Sequence, residues 1–221
     1  MNVLVIAPHP DDEVLGCGGT IAKHAACGDD VYVVVVTKGC EPIFSSEGTE
    51  FTRDECRKAD MSLGVKETIF LEEFPAAMIE TVDRYKLNDA LIDVIQRVKP
   101  DTVYIPHRGD MQLDHKLVVD AAMVALRPKY DHVVKNIYAY EVLSETGWDL
   151  PNMVNDFIPN RYVDISEYGE KKCEALKMFS GQVQVFPDAR SVEAVKALYT
   201  YRGAMMGMNA AEAFEVVREL A

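Results

Sequence analysis

The chain has 221 residues, of which 48% are hydrophobic and 27% charged, and this composition predicts one globular domain with a large core. Its net charge of -13 argues against nucleic acid and anionic membranes as partners, because binding to phosphate groups needs a basic surface. No apolar run reaches the ~18 residues of a membrane span and the N-terminus lacks the basic segment of a signal peptide, so we expect a cytoplasmic protein without membrane insertion.

The first half of the chain alternates strand-like and helical segments. A buried strand, NVLVIAP, leads into a helix from about residue 13 to residue 26, and a second strand, DVYVVVVT, follows. The Gly- and Ser-rich loop at residues 38–50 is predicted to hold substrate. Thr52 and Glu55 have the T-x-x-E spacing of a capping box, which predicts that the next helix begins there, and Gly64 is predicted to end it.

The alternation continues through residue 129. A third strand, ETIFLEE, is predicted to be buried on both faces like the first two. It precedes a helix whose apolar stripe consists of Leu87, Leu91, Val94, Ile95 and Val98. A fourth strand, DTVYIPH, precedes the helical segment LDHKLVVDAAMVALRP. Such β-α-β-α order predicts an α/β protein, with a mostly parallel sheet and helices on both of its faces. Ligands of such sheets bind at the carboxyl ends of the strands.

Residues 130–221 are predicted to extend the same domain, because no linker separates them from residues 1–129. They contain two more strand-like runs, KNIYAYEV and RYVDIS, and two helical segments, EYGEKKCEALKMF and SVEAVKALYTYRG. We therefore predict a single domain over residues 1–221, with a C-terminal α/β extension.

The five cysteines predict no disulfide framework. Their number is odd and no C-x-x-C spacing occurs, which is typical of reduced thiols in a cytosolic protein. Cys17 lies beside the polar stretch that follows the first strand, and we favour a packing role for it over a chemical one.

Two clusters of polar residues follow predicted strands. The stretch APHPDDEVLGCGG places His9, Asp11, Asp12 and Glu13 directly after the first strand, and HRGDMQLDH follows the fourth. A dinucleotide fingerprint does not fit the first stretch, because G-x-G-x-x-G would need glycine where Ile21 stands and the carboxylates would repel a pyrophosphate. Helix capping accounts for one acidic residue but not for the histidine or for two adjacent aspartates.

A divalent metal explains the charge of the first cluster. His9 and Asp12 are three residues apart in a predicted turn, so both can face one ion. A catalytic zinc site needs three protein ligands and one open position. The third ligand would come from the second cluster, where the candidates are His107, Asp110, Asp114 and His115.

The two clusters resemble the signatures of the PIG-L/LmbE-like deacetylases. The stretch PHPDDEVLGCGGTI carries the first signature nearly unaltered, DMQLDH carries the second, and the resemblance extends to TRDECRKADMSLGV and YRGAMMGMNAAEAF. The resemblance implies a Rossmann-like fold and a zinc-dependent enzyme that removes acetyl groups from amino-sugar conjugates. It also implies His9, Asp12 and His115 as ligands of one Zn²⁺ per chain, with Fe²⁺ or Co²⁺ as alternatives, and Asp11 as general base.

The second signature departs from the family's usual D-x-H-x-D-H at one position. Gln112 stands where the family has a histidine that stabilises an oxyanion or protonates the leaving amine. An amide donates a hydrogen bond to an oxyanion but delivers no proton at neutral pH. The remaining candidates for the general acid are Asp11 and His107. Asp114 completes the predicted catalytic set by orienting a neighbour.

The resemblance also supplies expectations about the substrate. Arg53 corresponds to the family's substrate-contacting arginine, with a helix-surface arginine as the alternative, and His107 and Asp110 are the further candidate substrate contacts. The predicted partner is a small amino sugar, and oligomers are common in the family, so a homo-oligomer is an open alternative. Two rival functions remain, which are a hydrolase of another amide or ester at the same metal and a non-catalytic metabolite-binding protein.

Overall fold

The computed structural model describes residues 1–150 and 156–220. In chain order its elements are β1 (Asn2–Ala7), α1 (Asp12–Ala26), β2 (Asp30–Val35), α2 (Ser46–Leu63), β3 (Glu67–Phe70), a 3₁₀ turn (Ile79–Thr81), α3 (Arg84–Val98), β4 (Thr102–Pro106), α4 (Leu113–Ala125), β5 (Asn136–Tyr140), β6 (Arg161–Asp164), α5 (Gly169–Leu176), α6 (Val192–Met205) and β7 (Ala211–Glu219). No helix of these residues is long and apolar enough to cross a membrane.

The strands form one mostly parallel sheet in the order β3-β2-β1-β4-β5-β7-β6. The pairs from β3 to β5 are parallel, and β7 runs antiparallel to both of its neighbours. From β1 the chain first builds outward through β2 and β3 and then returns to place β4 on the other side of β1. The order of the strands therefore reverses between β1 and β4, at the kind of switch point where α/β sheets bind ligands.

Two apolar clusters cover the two faces of the sheet. Alternate residues of β1 divide between them, with Val3 and Val5 in one cluster and Leu4 and Ile6 in the other. The first cluster includes side chains of α1, α2 and α5, and the second includes side chains of α3 and α4. This confirms the predicted α/β class with helices on both faces. β3 is only partly buried, contrary to the expected burial on both faces, because it is an edge strand.

The predicted start of α2 is wrong. The helix begins at Ser46, after the N-cap Ser45, whose Oγ accepts a hydrogen bond from the Gly48 amide at 3.1 Å. Thr52 lies inside the helix and donates to the carbonyl of Gly48. The T-x-x-E spacing is thus not a capping box here. Gly64 ends the helix as predicted, with φ of 94°.

The glycines of the GCGG stretch allow α1 to pack closely on its neighbours. A Cβ atom at Gly16 would overlap the ring of Tyr140, and one at Gly19 would lie 2.6 Å from Cδ1 of Ile165. Tyr140 belongs to β5 and Ile165 follows β6, so these glycines bring α1 against the C-terminal part of the sheet. Cys17 between them is fully buried in the core.

A seventh strand, β7, was not among the predicted elements. It inserts between β5 and β6, and its Glu212 is buried and accepts hydrogen bonds from the amides of Gly19 and Thr20. Lys172 of α5 lies 2.6 Å from the same carboxylate, so the charge of Glu212 is paired. These contacts join the C-terminal extension to the N-terminal half of α1.

Candidate metal centre and active site

The residues of the two polar clusters meet at the switch point of the sheet. His9 and Asp12 follow β1, and His115 lies in the first turn of α4, which follows β4. Because β1 and β4 are parallel neighbours, their carboxyl ends lie side by side. Asp11 makes the turn from β1 into α1 with φ of 113°, a backbone conformation that is costly for a residue other than glycine.

Three potential ligand atoms converge at this point. Nδ1 of His9 and Nε2 of His115 each lie 3.3 Å from Oδ2 of Asp12, and the two rings are 5.3 Å apart. Tetrahedral zinc with bonds of about 2.0–2.1 Å needs donors about 3.3–3.4 Å apart. The His9, Asp12 and His115 donors fit a tetrahedrally coordinated divalent ion.

A carboxylate holds the other nitrogen of each histidine. Asp114 Oδ2 lies 2.9 Å from Nε2 of His9, and Asp110 Oδ2 lies 2.8 Å from Nδ1 of His115. Such pairs fix the tautomer and ring orientation of metal-binding histidines. Nε2 of His115 is fully buried and makes no hydrogen bond, even to the nearby Asp12. A buried nitrogen with no partner is what a metal ligand leaves when no ion is present.

Without a metal, protons balance the charge of this cluster. Burial by itself would lower the pKa of both histidines, but hydrogen bonds to Asp114 and Asp12 raise that of His9 to about 9. The charge of Asp12 and the hydrogen bond that His115 donates to Asp110 raise the pKa of His115 to about 10. Burial would raise the pKa of Asp12, but the adjacent His115 holds it well below its usual range.

A cavity of about 450 Å³ opens beside the metal donors. Asp11, which is 2% exposed, and Gln112 line it next to His9. Burial and the neighbouring charge of Asp12 raise the pKa of Asp11 to about 7. Oε1 of Gln112 is buried without a hydrogen-bond partner. Residues of the predicted substrate loop also line the cavity, although the loop is shorter than expected because α2 begins at Ser46.

The three expected substrate contacts are placed differently. Arg53 lines the cavity, where its Nη1 bonds Glu72 and its Nη2 bonds the carbonyl of Leu71. Asp110 is fully buried against His115 and does not line the cavity. His107 is also outside the cavity lining, and its Nδ1 lies 2.9 Å from Glu215. This geometry favours supporting roles for Asp110 and His107 over substrate contact.

Gln182 and Arg190 line the cavity with long polar side chains that were not predicted from the sequence. Both belong to the segment between α5 and α6, and Nη1 of Arg190 lies 4.0 Å from Oδ2 of Asp11. Neither residue belongs to a recognisable motif. The only local signal is that Arg190 precedes Ser191, the N-cap of α6.

Residues 4–126 match the profile of the PIG-L family, described as GlcNAc-PI de-N-acetylase. The chain belongs to the PIG-L family. Two relatives extend the similarity over most of the chain. The uncharacterized deacetylase YaiS of Escherichia coli K12 is 32% identical and the match covers 80% of this chain and 89% of YaiS. The diacetylchitobiose deacetylase of Thermococcus kodakarensis is 27% identical, with 98% and 83% covered.

Solved structures share the fold of this PIG-L chain. The conserved protein TT1542 of Thermus thermophilus superposes with a TM-score of 0.81 at 28% identity, covering 99% of this chain and 96% of that one. GalB of Pseudomonas putida KT2440, a 4-carboxy-2-hydroxymuconate hydratase, superposes with a TM-score of 0.79 at 21% identity, covering 100% and 97%. The second match shows the fold alone, so the chemistry has to be argued from the residues of the site.

Proposed function

We propose that this PIG-L chain is a metal-dependent hydrolase that removes the acetyl group from an N-acetylated amino sugar or its conjugate. The observation that carries the proposal is that the buried donors of His9, Asp12 and His115 converge beside a cavity lined by Asp11, a carboxylate that the metal set does not use. The deacetylase relatives support this reaction, and the diacetylchitobiose deacetylase supports an amino-sugar substrate.

The proposed cofactor is one Zn²⁺ per chain, held by His9, Asp12 and His115, and the same donors accept Fe²⁺ or Co²⁺. When bound, such a metal polarises a carbonyl and lowers the pKa of a coordinated water from ~15.7 toward ~7. Asp110 and Asp114 hold the two histidines in the orientation that this binding requires.

Asp11 acts as the general base. Its carboxylate accepts a proton from the attacking water, whose oxygen forms the new bond to the acetyl carbon. Gln112 lines the same cavity and donates an amide hydrogen to the tetrahedral oxyanion. Its buried Oε1 accepts no hydrogen bond from the protein, so no hydrogen bond at that atom restrains the amide.

Asp11 then returns the proton to the nitrogen as the C–N bond breaks, releasing acetate and a free amine. Position 112 cannot supply that proton, because it is a glutamine. The alternative acid, His107, lies outside the cavity lining and is bonded to Glu215. The placement of both residues supports Asp11 as base and acid in turn.

The cavity fits a small sugar substrate, because its volume of about 450 Å³ lies within the usual range for small-molecule sites. Arg53 is the proposed substrate contact from α2. The cytoplasmic location and the single domain over residues 1–221 remain predictions from the sequence.

The deciding experiment measures free amine and acetate released from a panel of N-acetyl sugars, nucleotide sugars and matched acetate esters by the metal-loaded protein. We expect amide hydrolysis of at least one sugar, about one metal per chain, metal loss in His115→Ala, and a kcat at least ~10²-fold lower in a metal-loaded Asp11→Asn variant. Ester cleavage without amide cleavage would support the rival hydrolase. Substrate binding without turnover would support the non-catalytic rival.

A further inference from the structure

Arg190 places a guanidinium group in the cavity next to the proposed base. Its side chain is 29% exposed, and Nη1 donates to Oε1 of Gln182 at 2.7 Å while lying 4.0 Å from Oδ2 of Asp11. Its Nε is buried and has no hydrogen-bond acceptor. An arginine in a structural ion pair would normally have its buried N–H groups satisfied. Arg53 of the same cavity also has a buried Nε without an acceptor, so what distinguishes Arg190 is its position beside Asp11.

The segment that carries Arg190 is held firmly against α2. Both the amide and the hydroxyl of Ser180 donate to Oε1 of Glu55, at 2.9 and 2.6 Å. At the other end, the Arg190 amide donates to Asp188, and the buried Ser191 caps α6. These contacts and the bond from Nη1 to Gln182 restrict where the guanidinium can lie before a ligand binds, which lowers the entropy cost of using it.

Arg190 differs from the other cationic side chain of the cavity. Among the described residues lining the cavity, the aspartate and arginine side chains are Asp11, Arg53 and Arg190. Arg53 is 3% exposed, and its two terminal nitrogens donate hydrogen bonds to Glu72 and to the carbonyl of Leu71. Arg190 is bound to a neutral amide, so its charge has no close carboxylate partner other than Asp11 at 4.0 Å.

We propose that Arg190 binds substrate, donating hydrogen bonds to a sugar oxygen on a carbon next to the one that carries the acetamido group. The inference rests on the proposed function, in which Asp11 protonates the leaving nitrogen and must therefore lie about 2.6–3.2 Å from it. The oxygens at C1 and C3 of a 2-acetamido sugar flank that nitrogen. A guanidinium 4.0 Å from Asp11 is consequently within reach of one of them.

The test compares Arg190→Ala and Arg190→Lys with the wild type on three substrates, which are the best N-acetyl sugar of the panel and its analogues lacking the C1 or the C3 oxygen. On the parent sugar we expect Arg190→Ala to lower kcat/KM about 10- to 100-fold, mainly through KM, because a charge-assisted hydrogen bond is lost. Arg190→Lys should have a kcat/KM between those of Arg190→Ala and the wild type, since lysine keeps the positive charge but lacks the planar set of N–H donors. Removing the contacted oxygen should abolish the difference between wild type and Arg190→Ala.

Arg202→Lys is the matched control, because Arg202 is also partly buried in the C-terminal extension and bonds a side chain, Glu141, outside the cavity. It should leave kcat/KM unchanged. Metal content and melting temperature of the Arg190 variants should equal those of the wild type. Added ethylguanidinium should partly restore Arg190→Ala, which a misfolded variant would not show.

The outcomes separate the inference from the proposed function. If the wild type is active and Arg190→Ala has a normal kcat/KM, the role of Arg190 is overturned and the proposed function stands. The same holds if Arg190→Ala loses kcat/KM equally on all three substrates. A metal-loaded wild type that releases amine from no N-acetyl sugar overturns both.

Discussion

At the scale of single residues, the site pairs each metal-facing histidine with its own buried carboxylate. Asp110 is fully buried between His115 and Thr146, and Asp114 links His9 to the amide of Ala77. Asp110 was a candidate substrate contact, and its complete burial favours the role of histidine anchor instead. Both metal-facing histidines are thereby positioned by carboxylates that follow β4.

Asp110→Asn should weaken metal binding by about 10- to 100-fold while leaving the protein folded, because the amide is a poorer acceptor for Nδ1–H of His115. Competition with a chromophoric chelator measures the affinity. Asp120→Asn serves as control, since Asp120 pairs with Arg84 and Arg108 at the surface. Unchanged affinity in Asp110→Asn would contradict the anchoring role.

Metal binding should release about two protons per ion at pH 7, because His9 and His115 have pKa values of about 9 and about 10 in the metal-free protein and must become neutral to ligate. Metal affinity should accordingly rise with pH up to about 10, where both histidines have lost their protons. Calorimetry in buffers of different ionisation enthalpy counts the protons. A count of zero at pH 7 would show that the histidines are already neutral.

The same two pKa values set the direction of a stability change. A histidine whose folded pKa exceeds its unfolded value of about 6.5 stabilises the fold below that pH, and this contribution is lost as pH rises through the folded pKa. The metal-free protein should therefore lose stability between about pH 6.5 and pH 10, and the metal-loaded protein should not show this loss. Urea unfolding across that range measures it.

Gln112→Ala should lower kcat by ~10²–10³-fold with little change in KM, as loss of one oxyanion donor does. The shape of the pH profile should persist, because an amide does not titrate. Gln112→His should retain activity and add an ionisation between about pH 6 and pH 8. A normal kcat with a raised KM in Gln112→Ala would make the residue a ground-state contact instead.

At the scale of elements, the position of α1 depends on two glycines whose lack of a side chain allows close packing. The close approach of Gly16 to Tyr140 and of Gly19 to Ile165 brings the N-terminal turns of the helix, with Asp12 and Glu13, against the sheet. Tyr140 also donates to the carbonyl of Ile6 in β1 at 2.8 Å, so the same contact fixes the strand that precedes the site.

Gly16→Ala should destabilise the fold by about 1–3 kcal/mol or more, because the added methyl overlaps a buried ring that cannot move freely. Chemical unfolding measures the change. Gly181→Ala is the control, since a Cβ atom there meets nothing within 4 Å and its φ is not in the left-handed region. Equal stabilities of the two variants would show that α1 has room to shift.

At the scale of the whole molecule, the C-terminal extension completes the core and the cavity. Tyr138, Ile165 and Phe214 belong to the same apolar cluster as Val3 and Val5 of β1. The buried Lys172–Glu212 pair ties α5 and β7 to α1, and the segment before α6 supplies Gln182 and Arg190 to the cavity.

A fragment of residues 1–129 should fail to fold, because it lacks half of that cluster and leaves β4 as an unpaired edge. Circular dichroism and protease resistance would test this against the full chain, and co-expression of residues 130–221 should recover the fold if the interface is sufficient. A stable, cooperatively unfolding fragment would contradict the single-domain prediction.

The amino-acid sequence predicts six of the seven strands, helices on both faces of the sheet and the two polar clusters that supply the candidate metal ligands. Buried strands appear as continuous apolar runs, α3 shows its stripe of five apolar residues, and both polar clusters stand where such strands end. This information is local, so it can be read without knowing what packs against what. The boundary of α2 was misjudged because a T-x-x-E spacing also occurs inside helices, where Glu55 instead binds Ser180 of another segment.

The partners of those residues are visible only in the folded chain. The mixed pattern of AEAFEVVRE did not reveal β7, whose burial varies along its length, and whose Glu212 is paired with residues distant in sequence. The anchoring of His9 by Asp114 and the approach of Arg190 to Asp11 likewise depend on how separate segments meet. Contacts between segments that are far apart along the chain leave no periodic trace, because neither partner needs a particular neighbour in sequence.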